Sequence, residues 1–491
     1  MAIDFEHKTI NDPIHGSIKI SNIEARVIAT PTFQRLRNLK HLGLAYFVFP
    51  GATHTRFAHS LGVLHIVSRM LDAVKRNSRK AFNKGEKQKI RLAALLHDVG
   101  HLPLSHAMEQ PIRRLIWEEG DASTLRAEQG TLGHDRHFGP LDETAQAALD
   151  KSFGHESFGR DLLVTRKDLR AALKGFNANN EIGKSFSGAR VTDSAEQHGI
   201  DVFSQFIKGT LDADRLDFLV RDASSSGFSF GHIDLDYILE NLCMDQDDKL
   251  YVDYKGINAL EHYITSRYFS YNVTYHKTVM GFELLAKHAY YRMCKTGNAD
   301  IPSSQNQLEQ ITKDDISFTK LTDDFFWEQL RNWKPSDDDA LVREALLNRV
   351  PPRLLFEERV LHKKETEQDL PRFDMLSDKN KFREIQSFSD RLRDHSIDED
   401  RLAVTTNDVD FEQYAAQIMR SEHTKEEKLH QLCNVKFDDK PKPLVDIEWS
   451  IIHHLAYYRL WIRRLYYLQR TGESPLDRPK VRTDLRRAFN P

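Results

Sequence analysis

The sequence predicts a mainly α-helical fold with a few short strands and a smaller α+β lobe at the carboxyl end. Apolar residues recur three and four positions apart through much of residues 1–300, which is the period of a helix with one buried face. After residue 300, polar runs such as KPSDDD and HKKETEQD separate shorter amphipathic segments. We therefore expect a helical core over residues 1–300 and a regulatory or oligomerisation lobe over residues 301–491.

The composition limits the class of protein. The 491 residues carry 70 Lys and Arg against 73 Asp and Glu, a formal charge of -3, which is too balanced for a nucleic-acid polycation. No apolar run approaches about 18 residues, so we expect no membrane partner. The cysteines lie too far apart for a CxxC zinc site, and the chain starts without an apolar targeting segment. These features favour a cytoplasmic protein.

Individual elements follow from local patterns. Residues 30–43, 59–76 and 87–98 have helical periodicity, which predicts helices that pack on one another. In residues 249–257, apolar and aromatic side chains occur at every second position from 250 to 254, which predicts a short strand. Residues 107–154 are polar and contain several glycines, which predicts a surface insertion. We interpret a second HD-like group in this insertion as surface-loop residues, His134, Asp135 and His137.

The end of the chain, residues 455–491, is basic and contains the aromatic residues Tyr457, Tyr458, Trp461, Tyr466 and Tyr467. The favoured interpretation is an amphipathic helix with a solvated basic face. The same mixture also suits phosphate contact and base stacking. Single-stranded nucleic acid is therefore an alternative partner for this segment.

Four short segments carry potential metal ligands: RFAH (56–59), LHDVGH (96–101), SH (105–106) and LDADR (211–215). Imidazole nitrogens and carboxylate oxygens together suit a divalent ion such as Mn, Fe, Ni or Zn. Because these segments contain no cysteine, a purely structural zinc site is disfavoured. The segments therefore predict a catalytic metal site.

Within these segments, His97 and Asp98 follow the apolar run LAALL and precede Gly100 and Pro103, which places the pair at the end of a buried helix. Two adjacent ligands at a helix end can reach one ion. A lone histidine beside an apolar face is more often a hydrogen-bonded core residue. The aspartate and the further histidines that follow favour the metal site.

Six blocks occur in order along the chain: NDPIHGSIKI (11–20), TPTFQRLRNLKHLGLAYFVFPGATHTRFAHSLGV (30–63), LLHDVGHLPLSH (95–106), HES (155–157), LDADRLDFLVRD (211–222) and YKGINALEHYITSRYF (254–269). Together they resemble the HD-superfamily deoxynucleoside triphosphate triphosphohydrolases. The resemblance implies an HD-domain helical core. It also implies metal-dependent hydrolysis of dNTPs to deoxynucleoside and triphosphate.

By position, the resemblance implies that one catalytic metal ion is bound by His59, His97, Asp98 and Asp214. It further implies the catalytic residues His101 and His155, and we expect Asp212 to act with them. A histidine suits protonation of a leaving 5′ oxygen, and a carboxylate such as Asp212 can orient a histidine. The metal would neutralise phosphate charge as water attacks, and Mg²⁺ is expected with the substrate phosphates.

The resemblance also implies a set of substrate-binding residues: Arg56, His106, Arg215, Asp222, Arg267, His41 and Leu42. Guanidinium groups match phosphate geometry, and Asp222 matches the acceptor of the sugar 3′ hydroxyl. His41 stands where the family has a glutamine, so we expect sugar recognition to differ.

A regulatory nucleotide site is implied at the subunit contacts of a homo-oligomer, a tetramer or a hexamer. The matching residues are Lys8, Asn11, Gln34 and Arg37. Ala29 stands where an acid would pair with guanine, which argues against guanine-specific activation.

Two alternatives stay open. The same metal site can act on another nucleotide phosphate ester, for example a nucleoside monophosphate. The chain can also be a nucleic-acid- or partner-binding protein that keeps a residual HD site, an interpretation that only the basic tail favours.

Overall fold

Helices dominate the computed structural model, which describes residues 8–78, 80–120, 154–177, 182–187, 202–297, 301–363, 402–410, 433–437, 440–455, 458–470, 477 and 479–483. In chain order they are α1 Asn22–Ile28, α2 Pro31–Gln34, α3 Arg56–Ser78, α4 Lys84–Leu96, α5 Glu109–Gly120, α6 His155–Thr165, α7 Lys167–Ala172, α8 Lys184–Ser187, α9 Gln205–Lys208, α10 Ala213–Ser226, α11 Leu235–Glu240, α12 Ile257–Thr274, α13 Lys277–Thr296, α14 Gln305–Lys313, α15 Asp315–Lys320, α16 Asp323–Asn332, α17 Asp337–Leu347 and α18 Ile451–Leu455. Within these ranges, none of the helices has the length and apolarity needed to cross a membrane.

The strands are β1 Lys8–Asp12, β2 Gly16–Ile20, β3 Leu242–Met244, β4 Leu250–Asp253, β5 Arg353–Lys363, β6 Leu402–Asp410, β7 Asn434–Phe437, β8 Lys440–Pro443 and β9 Tyr458–Tyr467. β1 and β2 form an antiparallel hairpin. A second sheet has the order β3-β4-β7-β8, and a third has the order β5-β9-β6. The predicted fold class, mainly α with small sheets, is confirmed.

The core is built around α3, which packs against α4 and α10. A capping box starts α4, since Asn83 and Glu86 each accept a hydrogen bond from the other's backbone N–H. Asp212 caps the start of α10, and Gly227 ends it with a positive φ of 80°. The end of α4 and the starts of α3 and α10 carry the candidate site.

The helices predicted over residues 59–76 and 87–98 are confirmed as α3 and α4, and the predicted strand is confirmed as β4. The helix predicted over residues 30–43 is wrong beyond its first half. A 3-10 turn follows α2 and ends at Asn38, and Lys40 then forms a β-bridge with Thr55. This bridge to a distant segment replaces the local helical hydrogen bonds.

The first part of the surface insertion predicted over residues 107–154 is helical and packs into the core. Residues 109–120 form α5, and Met108, Ile112 and Leu115 are buried in the core. Their spacing of three and four is helical, although polar residues surround them. Residues 121–153, with the predicted surface-loop group His134, Asp135 and His137, lie outside the described residues.

The buried core continues past residue 300, where the sequence predicts a domain boundary. The hydrophobic cluster that contains the α3 residues also includes Phe318, Trp333, Leu346, Val435 and Leu468. Residue 300 therefore does not mark the end of the core. The regulatory or oligomerisation role of residues 301–491 stays a prediction.

The prediction of an amphipathic helix at the start of the basic tail is wrong. Residues 458–467 form β9, which pairs with β5 on one side and β6 on the other. Tyr466 and Tyr467 are only 2% and 1% exposed, and the Tyr466 hydroxyl donates to the Lys277 carbonyl oxygen at 2.6 Å. Arg464 is also buried and donates to Glu357 at 2.6 Å. These two tyrosines are therefore core residues and are not open to base stacking.

Candidate active site

The four predicted metal ligands lie together where α3, α4 and α10 meet. His59 is in the first turn of α3, His97 and Asp98 directly follow α4, and Asp214 is in the first turn of α10. His59 Nε2 lies 3.0 Å from Asp214 Oδ1 and 3.8 Å from Asp98 Oδ2. His97 Nε2 lies 3.2 Å from Asp98 Oδ1 and 3.8 Å from Asp214 Oδ1. The fold thus gathers ligand atoms from three separate chain segments.

The hydrogen bonds of His97 fit a cation at this point. Its Nδ1 lies 2.8 Å from the Ala94 carbonyl oxygen, which can only accept, so in the neutral form of the ring the proton is on Nδ1. Nε2 then presents a lone pair, and this buried atom has no hydrogen-bond partner among the described residues. A lone pair that faces carboxylates without a donor is unfavourable. A divalent cation would remove the conflict, so the cluster fits a metal.

His59 is oriented by Asp217, a buried residue that the sequence prediction missed. His59 Nδ1 donates to Asp217 Oδ2 at 2.7 Å. Burial lowers the pKa of His59, but its hydrogen bonds with Asp214 and Asp217 outweigh burial and raise the pKa to about 10. Asp217 follows Asp214 by three residues and so shares its face of α10, which is a signal that the sequence contains.

Arg56 contacts the ligand cluster directly. Its Nη1 donates to Asp98 Oδ2 at 2.6 Å, and its Nε donates to Ser105 Oγ at 2.9 Å. Burial raises the pKa of Asp98, but Arg56, His97 and His101 outweigh burial and hold the pKa well below its usual range. Asp98 is therefore ionised. For the predicted phosphate contact, the Arg56 guanidinium would have to donate to Asp98 and to a phosphate oxygen at the same time.

Glu109, a second carboxylate that the prediction missed, gathers three histidines. Its Oε1 lies 2.9 Å from His155 Nδ1, 3.0 Å from His106 Nδ1 and 3.8 Å from His101 Nδ1. Burial raises the pKa of Glu109, but hydrogen bonds from His106 and His155 hold it well below its usual range. Sequence reasoning missed Glu109 because it assigned residues from 107 onward to a surface insertion. The position of Glu109, three residues after His106, nevertheless favours a contact between them.

Asp212, a predicted catalytic residue, caps α10 and pairs with Arg215. Asp212 Oδ1 accepts from the Arg215 backbone N–H at 2.7 Å, which caps α10, and Oδ2 pairs with the Arg215 guanidinium. Burial raises the pKa of Asp212 to about 6. Among the described residues, Asp217 and Glu109 are the carboxylates bonded to His59 Nδ1 and His155 Nδ1, and the catalytic role of Asp212 stays a prediction.

Arg215 and Arg267, the other predicted phosphate contacts, converge on the segment before α10. Arg215 Nη1 donates to the Gly209 carbonyl oxygen. Arg267 Nη1 lies 3.4 Å from the Thr210 carbonyl oxygen, and the Arg267 side chain is buried. Both cations therefore lie at one edge of the site.

Lys208 adds a third cation at this edge, and sequence reasoning missed it. Its Nζ pairs with Glu156, the neighbour of His155 in the chain. Burial lowers the pKa of Lys208, but Glu156 and Asp214 outweigh burial and raise it. Lys208 is therefore charged, and its pair with Glu156 places it near His155, which precedes Glu156 in the chain.

Asp222 lies between two histidines beside the ligand cluster. His54 Nε2 lies 2.8 Å from Asp222 Oδ1, and His41 Nε2 lies 3.8 Å from the same oxygen. The ring centroids of His41 and His59 are 4.2 Å apart. The fold thus brings the predicted substrate-binding residues His41 and Asp222 together. His54, which was not predicted, also contacts Asp222. Leu42 is partly buried against the hydrophobic core.

The residues predicted for a regulatory nucleotide site fall into two groups. Lys8 and Asn11 lie on β1, where Asn11 Oδ1 accepts from Ser17 Oγ at 3.4 Å. Arg37 Nε donates to Gln34 Oε1 at 2.7 Å. The regulatory site stays a prediction.

Residues 56–181, which include His59, His97, Asp98 and His155, match the family model of the HD domain. The chain carries an HD domain. It is 30% identical over 295 residues to the uncharacterized protein YwfO of Bacillus subtilis. That alignment covers 58% of this chain and 56% of YwfO. It is 28% identical over 373 residues to the deoxynucleoside triphosphate triphosphohydrolase SAMHD1 of Gallus gallus. That alignment covers 71% of this chain and 55% of SAMHD1.

The fold of this HD-domain chain is shared by a solved structure. A phosphohydrolase from Bacteroides thetaiotaomicron aligns with a TM-score of 0.62 at 21% identity and covers 95% of this chain and 100% of that chain. The chain spans just over half the length of the curated relatives described above. The predicted resemblance to HD-superfamily triphosphohydrolases is confirmed. Asp214 lies beyond the matched HD range, so its place in the site rests on geometry.

Proposed function

We propose that this HD-domain chain hydrolyses deoxynucleoside triphosphates between the α-phosphorus and the 5′ oxygen, giving deoxynucleoside and triphosphate. One observation carries the proposal: His59, His97 and Asp214 place ligand atoms within 4.8 Å of one another with Asp98 beside them, and the histidines around Glu109 lie next to this cluster. The 28% identity to SAMHD1, whose name states this activity, supports the substrate class.

His59, His97, Asp98 and Asp214 would hold one divalent transition metal ion. When bound, the ion supplies a Lewis acid for an α-phosphate oxygen and lowers the pKa of a water molecule. Asp217 accepts a hydrogen bond from His59 Nδ1, so Nε2 is the ring nitrogen that would lose its proton and bind the ion. The ionised Asp98 supplies a negative charge that favours a cation.

His155 is the proposed proton donor to the leaving 5′ oxygen. Burial lowers its pKa, and the hydrogen bond to Glu109 opposes that effect. The negative charge of an arriving triphosphate would favour the protonated ring further. His101 stacks on His155 and lies 3.3 Å from Asp98 Oδ1, so it connects the donor to the metal ligands. His106, whose side chain is 66% exposed, is open to contact with the nucleotide.

Arg215, Arg267 and Lys208 are the proposed triphosphate contacts. A triphosphate carries about four negative charges, and guanidinium forks bind phosphate oxygens in pairs. Each of the three has an acidic or carbonyl partner in the protein, which holds it in place before substrate arrives. Arg56 would add a fourth contact from the Asp98 side.

Asp222 is the proposed acceptor of the sugar 3′ hydroxyl. His54 approaches Oδ1, which leaves Oδ2 for the hydroxyl. His41 stands beside both Asp222 and His59, so we propose that it contacts the same sugar edge.

Product analysis tests the proposal. The purified chain would be incubated with each common dNTP and NTP in the presence of Mn²⁺, Mg²⁺, Fe²⁺, Co²⁺ or Ni²⁺, with and without a nucleotide activator. Chromatography should detect deoxynucleoside and triphosphate. Only nucleoside monophosphate and pyrophosphate, or no product in any condition, would overturn the proposal.

A second candidate keeps the metal site but acts on another nucleotide phosphate ester. The observation that favours it is His41, which replaces a family glutamine, together with His54 against Asp222. These histidines alter the sugar-binding edge of the site. Release of orthophosphate from nucleoside monophosphates, with dNTPs inert, would favour this candidate.

A further inference from the structure

The carboxylate of Asp217 joins the metal ligand His59 to the amino-terminal β-hairpin. Asp217 Oδ2 accepts from His59 Nδ1 at 2.7 Å, and Asp217 Oδ1 lies 2.6 Å from His15 Nε2. Arg221 also binds this carboxylate with two donors, Nε at 2.8 Å and Nη2 at 3.0 Å. Four donor contacts saturate one buried carboxylate and fix its orientation.

His15 is itself held by the turn between β1 and β2. Asp12 Oδ1 accepts from the backbone N–H groups of Ile14 and His15, each at 3.0 Å. Gly16 completes the turn with a φ of +67°, a conformation that favours glycine. Arg221 Nη1 donates to Asp12 Oδ2 at 2.9 Å, so the turn and α10 are joined by a second contact.

The connection is buried along its whole length. The exposed fractions of the side chains are 4% for His15, 0% for Asp217, 2% for Arg221 and 4% for Asp12. Breaking one partner of such a network leaves a charge without compensation in the interior. The Asp217 carboxylate therefore has one strongly preferred position while the hairpin is in place.

We propose that the β1–β2 turn positions the metal ligand His59 through Asp217, so that the hairpin sets the metal affinity of the HD site. His15 and Arg221 are positioning residues in this proposal, because they act on His59 through the carboxylate of Asp217. The proposal rests on the proposed function only in assuming that His59 binds a metal. Partners of metal-bound histidines typically change metal affinity about 10–100-fold when removed.

Metal binding to the full chain tests the proposal without reference to turnover. His15→Ala should weaken binding of Mn²⁺ or Co²⁺ about 10–100-fold in a chelator competition. It should also change the absorption spectrum of bound Co²⁺. His15→Gln, which keeps a donor for Asp217, should restore much of the affinity. Asp12→Asn, which weakens the pair with Arg221, is a second variant and should give a smaller loss.

The matched control is Gln88→Ala. Gln88 belongs to another buried network, in which its Nε2 donates to Glu24 at 2.7 Å, and its removal also disturbs the core. Gln88→Ala should lower the melting temperature but leave metal affinity and the Co²⁺ spectrum unchanged. Circular dichroism would establish that each variant is folded.

Three outcomes would overturn the proposal: unchanged affinity in folded His15→Ala and Asp12→Asn, equal loss in Gln88→Ala, or metal binding that does not depend on His59. Failure of the proposed function looks different. In that case the metal binds, His15→Ala weakens it, and no dNTP is hydrolysed, so the inference about the hairpin stands.

Discussion

The imidazole rings of His101 and His155 stack with centroids 3.9 Å apart and an interplanar angle of 15°. The two residues come from opposite sides of the segment 121–153, and Glu109 lies close to both. A carboxylate beside a histidine stabilises the imidazolium form. We therefore expect Glu109 to control when His155 can donate a proton.

Neutralising Glu109 tests this relationship. In Glu109→Gln, turnover should fall about 10²-fold, the usual size of a general-acid contribution, while bound metal is retained. Because Glu109 opposes the effect of burial, its loss should lower the pKa of His155 further. Two other charged groups near His155 are unchanged in the variant. Lys208 lowers the pKa of His155, and Glu156 Oε1 lies 3.8 Å from His155 Nε2. A proton donor is lost as pH rises through its pKa, so the alkaline limb of the rate profile should shift to lower pH. An unshifted limb would contradict this role.

Metal content separates the ligands from the other histidines. His97→Ala and Asp214→Ala should lose bound metal and activity together, because each removes one of the four clustered donor groups. His155→Ala should keep its metal and lose most turnover. Elemental analysis of the purified variants measures this, and His232→Ala, at an exposed histidine, is the control. Equal metal loss in all three site variants would refute the role given to His155.

Gly62 should tolerate no side chain. A Cβ at this position would lie 1.8 Å from Asp217 Oδ1 and 2.5 Å from Arg221 Nη2, so α3 and α10 would have to separate. Gly62→Ala should lower the free energy of unfolding by about 2–3 kcal/mol and weaken metal binding. In Gly85→Ala, the nearest atom is Asn83 Oδ1 at 3.2 Å, and we expect a change below about 1 kcal/mol. Chemical denaturation measures both, and equal effects would refute the packing argument.

Asp222 should control recognition of the sugar 3′ hydroxyl. Loss of a charged acceptor costs about 1.5–3 kcal/mol, which is roughly a 10–150-fold change in kcat/KM. Asp222→Asn should therefore reduce the preference for a dNTP over its 2′,3′-dideoxy analogue by about that factor. The ratio of kcat/KM for the two substrates measures the effect. A ratio equal to that of the unaltered chain would place the hydroxyl elsewhere.

Regular features of the fold were predictable because they depend on local patterns. The apolar spacing of α3 and α4 and the HD pair after α4 predict both the helices and the position of His97 and Asp98. β9 was not predictable in the same way, because YRLWIRRLYY is a short apolar run with charges that fits either a helix or a strand. Pairing with β5 and β6 decided its conformation.

The partners of the site histidines were harder to predict than the histidines themselves. Asp217 and Glu109 follow Asp214 and His106 by three residues, which suggests a shared helix face, but packing decides their contacts with His59 and His155. Asp212 had the right residue type for that task, but its position at the start of α10 makes it a helix cap. Carboxylate partners are thus set by tertiary contacts, which a single sequence does not reveal.

Hydrolysis of a dNTP in H2¹⁸O tests the central claim most directly. If water attacks the α-phosphorus at this site, mass spectrometry should find the heavy oxygen in triphosphate and none in the deoxynucleoside. His97→Ala should abolish the labelled product. Label in a nucleoside monophosphate, in pyrophosphate or in the deoxynucleoside itself would contradict the account.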